Sequence, residues 1–153
     1  MTPEEAQLRG ELATLASTEQ GRRLLQLAMR GIARGEREVT AGCWRVRGDA
    51  GCLFQHAYWE GVKEGVFPDY GRPGDWIGSF VGAHDYGVVI NVIAAFDRLA
   101  RCAYADVTPR RLAPDQVVLR QPEWHATVER LLVSVLSAEP AAPPAADQVS
   151  ARV

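Results

Sequence analysis

The sequence predicts an all-α fold: a single domain over residues 1–137, built as a bundle of five or six helices around a central apolar helix, with a disordered Ala/Pro-rich tail over 138–153. Three observations predict it. Apolar residues recur three and four apart in most segments, which gathers them on one side of a helix. Those segments open on hydroxyl or carboxylate side chains, which accept hydrogen bonds from the free amides of a first helical turn. Beyond Ser137 the chain is mostly Ala, Pro and small polar residues, with too little apolar surface to offset the entropy of ordering it.

The first helix starts at Thr2-Pro3-Glu4-Glu5. The Thr2 hydroxyl can accept from the Glu5 amide, and a proline in the first helical position lacks an amide hydrogen that would have no partner there. Leu8, Leu12 and Leu15 form the apolar stripe. Ser17 or Thr18 caps the second helix, with Gln20 reaching back, and Leu24, Leu25, Ala28, Met29 and Ile32 line its inner side up to Gly35. So short a link predicts an antiparallel helical hairpin.

Residues 36–48 lose the helical period and are expected to be irregular, with one short strand as the alternative. Asp49 is the expected cap of a third helix ending near Gly65, where glycine suits the left-handed position that closes a helix. The proline- and glycine-punctuated stretch 66–74 is a connection. Asp75 is expected to cap a short fourth helix with Trp76, Ile77, Phe80 and Val81 inward, and Asp85 to cap the long apolar segment 86–104. Residues 88–93 are rich in β-branched side chains, so a strand is the local alternative. Helix is favoured because Ala94, Ala95, Leu99 and Ala100 continue without a turn signal. After a link whose residues 116–119 could be extended, Pro122 opens the last helix, with Trp124, Val128, Leu131, Leu132, Val135 and Leu136 on one face.

Composition narrows the functional classes. With 47% apolar and 24% charged residues, the 153-residue chain can build an ordinary core. A formal net charge of -2 gives no overall attraction to nucleic acid or to an anionic membrane surface. No run approaches the ~20 apolar residues of a membrane helix, and Glu4, Glu5 and Arg9 stand where a secretory signal would be apolar, so a cytoplasmic location is expected. Cys43, Cys52 and Cys102 have no recognised metal or disulfide spacing. Lys63 is the single lysine and Asn91 the single asparagine, a bias expected of a GC-rich, bacterial-type coding genome.

Candidate chemistry gathers in two places. On the third helix a wheel separates Phe54, Tyr58 and Val62 from a charged sector with His56, Glu60, Lys63 and Glu64. Cys52, His56 and Glu60 follow at intervals of four, which could share a metal on one helix face, but a closed site needs partners from elsewhere. The simpler expectation is an exposed His56–Glu60 contact with Cys52 as an apolar filler, and likewise a hydrogen-bonded core histidine at His125. No metal or other cofactor is therefore expected. The second place is His84-Asp85, where a helix N-terminus could hold an anion if the loop bearing Asp69, Tyr70 and Arg72 folded back over it. Otherwise Asp85 is a cap and His84 a partly solvated junction residue.

No nucleophile elbow and no glycine-rich phosphate loop occurs. Paired arginines such as Arg22-Arg23 and Arg110-Arg111 have acids nearby in sequence and read as a solvated face. Trp76 and Trp124 lie on apolar stripes and are expected in the core; Trp59, at the edge of its stripe, is the expected contact residue. The resulting expectation is a non-enzymatic helical interaction or regulatory module that binds a protein partner or itself. The rival is a small-molecule or metal site, enzymatic or not, built from His56, Glu60, Asp69, Tyr70, His84 and Asp85. Convergence of those residues in one pocket would favour the rival; their dispersal, with Trp59 on an exposed apolar patch, would favour the module.

Overall fold

The computed structural model describes residues 1–41, 50–105 and 119–138. Among these the chain is mostly helical: α1 (Pro3–Ala16), α2 (Glu19–Ala33), α3 (Leu53–Lys63), α4 (Pro73–Val81), α5 (Ala83–Leu99) and α6 (Gln121–Ser137). Two short strands, β1 (Glu38–Val39) and β2 (Ala50–Gly51), pair in parallel, Glu38 beside Ala50 and Val39 beside Gly51. The expected Asp49 cap, residues 116–118 and the tail from 139 onward lie outside the described residues.

The hairpin of α1 and α2 forms as the capping residues dictate. Thr2 Oγ1 accepts from the Glu5 amide at 3.2 Å, and Thr18 Oγ1 accepts from the Gly21 amide at 3.1 Å. Gln20 does not reach back; its side-chain amide donates to the Phe80 carbonyl at 3.3 Å and so ties α2 to the end of α4. Leu8, Leu12 and Leu15 of α1 and Leu24, Leu25, Ala28 and Ile32 of α2 are buried.

Helix α2 packs against α1, α3, α4 and α6, and its contact with α3 is the most extensive of these. Gly31 permits it: a Cβ there would stand 2.7 Å from the His56 carbonyl oxygen. The apolar segment after Asp85 is the helix α5, with Val88, Val89, Val92, Phe96 and Leu99 inside. It packs on α1 and α4 while Gly87, Ile90, Asn91 and Ala94 face solvent, so its expected enclosure is one-sided and α2 is the helix that most of the others touch. At its end the helix widens into a π-helical turn, Ala100–Tyr104, which the sequence pattern did not announce. Tyr104 there meets α6, its hydroxyl 2.6 Å from Thr127 Oγ1 and its ring beside Trp124. On α6, Trp124, Val128, Leu131, Leu132 and Val135 are buried as expected, and Arg22 donates to the Leu136 carbonyl, satisfying an acceptor that a helix end leaves open.

Two expected caps are placed differently. Helix α4 begins at Pro73, leaving Asp75 in its first turn, and Gly82 occupies the cap position of α5. Asp85 lies inside the first turn of α5 and is buried, its carboxylate accepting from the Thr18 hydroxyl at 2.6 Å. That hydroxyl spends its one proton on Asp85 and a lone pair on the Gly21 amide, joining the start of α5 to the start of α2. Thr18→Ala is expected to cost about 1–2 kcal/mol. Because Asp85→Ala breaks the same chain of bonds, urea unfolding of the two single variants and the double should give a double-mutant cost smaller than the sum, by about 1 kcal/mol.

Candidate functional site

The charged residues of α3 are organised by α2 and the strand pair, not by solvent. Gly31 lets the two helices close, and Arg30 in the last turn of α2 and Arg34 at its C-cap then face α3. Arg30 meets Glu64 and Arg34 meets Glu60, each through two hydrogen bonds of 2.8–2.9 Å. Lys63 reaches Glu36 at 3.2 Å. Glu60 is therefore buried, 2% exposed, where the helical wheel expected a solvated carboxylate. The paired hydrogen bonds from Arg34 hold its carboxyl below the usual range, against the opposing pull of burial.

His56 is likewise buried, and not beside Glu60 as an exposed pair. Its Nε2–H donates to the Glu38 carbonyl at 2.9 Å, which fixes Nε2 as the protonated nitrogen because a carbonyl can only accept. His56 is thus the peg that attaches β1, and with it the paired β2, to α3. Burial pushes its pKa below the ordinary histidine value, with Arg37 and His125 adding in the same direction against the raising influence of the Glu38 and Gly51 backbone.

Both shifts have the same sign for stability. The unfolded chain takes up a proton at His56 near pH 6.5 while the folded chain does not, so stability falls as pH drops from about 6.5 toward the lowered folded value. Glu60 stabilises fully above its unfolded value of 4.5, and this is lost as pH falls through the lower folded one. In urea titrations at pH 7.5 and 5.5, His56→Gln is expected to remove most of the difference in midpoint between the two, and Glu60→Gln to leave it unchanged.

Trp59 is half-buried, with the Arg37 guanidinium 3.9 Å above its ring and His56 edge-on at 5.3 Å. It lies under a cation and not on an exposed apolar patch. The recess among Gly31, Arg34, Arg37, His56, Trp59 and Glu60 has a volume of about 10 Å³, room for one water.

The other residues singled out from the sequence do not join this cluster. Asp69 and Tyr70 are exposed on the loop between α3 and α4. That loop is pinned at its start by the Tyr58 hydroxyl on the Pro68 carbonyl, and at the near end of α4 by Trp76 Nε1 on the Tyr70 carbonyl, both 2.5 Å. His84 and Asp85 lie past the far end of α4, about 13 Å of helix away. Among the described residues the loop does not fold back over this junction; Asp85 is committed to Thr18 and His84 is exposed. Trp76 is only half-buried, and His125, expected in the core, is a partly exposed residue bonded to Glu129 at 2.6 Å. Cys52 is buried at the start of α3 and Cys102 is exposed, both as thiols. Among the described residues no three His, Cys, Asp or Glu side chains are grouped to hold a metal ion.

What the sequence pattern did not reveal is a groove of about 510 Å³ between the end of α2 and the first turns of α6. Gly35, Glu36, Arg37 and Glu38 form one wall, Pro122, His125, Ala126 and Glu129 the other, and Gln121 also lines it. The Gln121 carboxamide bonds the outer edge of β1 at both ends: the Val39 amide donates to Oε1 at 3.2 Å, and Nε2 donates to the Val39 carbonyl at 2.9 Å. The only local hint was that residues 36–48 lacked a helical period. Among the described residues no helix is long and apolar enough to cross a membrane. No protein-family model matches the chain, and neither a curated protein nor a solved structure matches it.

Proposed function

We propose that this chain is a non-enzymatic helical interaction module that binds a protein partner, with the groove between the end of α2 and the start of α6 as its binding face. The observation that carries the reading is this groove, a concavity of ligand-binding size open beside a strand edge. The side chains that could have formed a reaction centre support it from the other side. Glu60 is committed to Arg34 and His56 to the Glu38 carbonyl around one recess with room for a single water, and Asp85 is committed to Thr18 elsewhere. The carboxylates in the groove argue against nucleic acid as the partner, since they would repel phosphates. Thiols at Cys52 and Cys102 suit a reducing compartment, and the reading places the module in the cytoplasm.

Site-specific photocrosslinking tests it. A benzophenone amino acid placed at Ala126, in the groove, is expected to give a discrete protein adduct in cells, and the same group at the exposed Asn91 of α5 to give none. An adduct carrying a second copy of the chain would make the module self-associating. Adducts at neither position, or at Asn91 alone, would remove the groove as a binding face.

A further inference from the structure

We infer that the groove takes an extended, basic segment of a partner protein, which adds as a strand to the outer edge of β1; this rests on reading the groove as a binding face. The first reason is the bonding of Val39. Its amide and carbonyl both point away from β2, whose ladder to β1 uses the neighbouring Thr40 amide on the Gly51 carbonyl at 2.9 Å. In place of a third strand, the carboxamide of Gln121 supplies one acceptor and one donor to Val39. A carboxamide carries the same pair of groups as a peptide unit. The edge is closed by a peptide-like stand-in held on a single side chain, so an incoming main chain exchanges two hydrogen bonds for two when Gln121 rotates out.

The second reason is charge. Among the described residues Glu36, Glu38 and Glu129 line the groove, with Arg37 turned onto Trp59, Lys63 meeting Glu36 from outside it and His125 bonded to Glu129. Three carboxylates against one guanidinium and one imidazole leave the described lining acidic, which suits a segment bearing lysine or arginine. A helix would not fit this role, because its amides and carbonyls are spent internally and could not replace the carboxamide on Val39. Strand addition leaves side chains alternating between the groove and solvent, so basic residues at every second position can meet Glu38 and Glu129.

The test uses the full chain and a fluorescein-labelled, end-capped octapeptide of alternating lysine and valine, read by anisotropy. Two comparators are an alternating glutamate and valine octapeptide and a lysine and valine octapeptide N-methylated at every second residue, which keeps the charge and loses amide donors. Binding of the first is expected, with a loss of about ten-fold or more on N-methylation and no measurable binding of the acidic peptide. Gln121→Ala removes the internal competitor and is expected to tighten binding several-fold. Ala126→Arg, at an exposed position and with its fold checked by circular dichroism, is expected to weaken it by about ten-fold. Equal binding of the N-methylated or acidic peptide, no binding of the basic one, or indifference to both variants overturns the strand-addition mode. Should that happen while the Ala126 photocrosslink still forms, the groove remains a binding face and only its occupant is wrong; loss of the photocrosslink removes both.

Discussion

Trp124→Ala is expected to destabilise the domain by about 3–5 kcal/mol, measured from the midpoint and slope of a urea transition. The indole is fully buried, tilted against Phe96 at 4.8 Å and Tyr104 at 5.1 Å between ring centres. Truncation leaves a void bounded by two rigid rings and by the side chains α6 presents to the core, which relax little. The indole Nε1–H has no hydrogen-bond partner among the described residues, and a buried donor without one costs stability. Trp124→Phe removes that donor together with only part of the ring and is expected to cost roughly half as much or less. A phenylalanine as damaging as alanine would show that the nitrogen is bonded in solution and that the cavity argument is incomplete.

Gly21→Ala is expected to cost about 3 kcal/mol or more, although alanine is the better helix former. Thr18 turns the chain from α1 into α2 so tightly that a Cβ on Gly21 would stand 2.0 Å from the Leu15 carbonyl oxygen and 2.8 Å from Thr18 Oγ1. The first of these is backbone and cannot swing aside, so the hairpin must splay and give up the Thr18 cap. Gly10→Ala in α1 is the control: nothing lies within 4 Å of its added Cβ. There the propensity gain of about 1 kcal/mol should appear undiminished. Opposite signs for the two substitutions in one thermal-melt series are the expected result, and a stabilised Gly21→Ala would contradict the tight turn.

The helices were legible because their signals are local. Thr2 and Thr18 cap across three residues, the stripes of α1, α2 and α6 repeat every three or four, and α5 continues through Ala94, Ala95 and Leu99 without a turn signal. The strand pair was not, since two residues on each side carry no period and their partners are twelve positions apart. The polar residues of α3 were misplaced for a related reason. A wheel assigns histidine and glutamate to solvent by type, but His56 is bonded to a carbonyl 18 residues away and Glu60 to an arginine 26 away. Spacings of three and four cannot reveal such partners. Asp85 reads as a cap because caps are what aspartate near a helix start most often provides; its partner, Thr18, is 67 residues earlier. The groove was invisible in turn, because its two walls come from the end of α2 and the start of α6.

The π-helical turn at Ala100–Tyr104 gives the chain slack in length at that point. A π turn holds one residue more than an α turn over about the same rise. Deleting a single residue between Ala100 and Ala103 would let ordinary α-helical bonding resume while Tyr104 keeps its direction, its phenol beside Thr127 and its ring beside Trp124. The same deletion inside α5, between Val88 and Phe96, would turn every following residue by about 100° around the helix axis and uncouple α5 from α6.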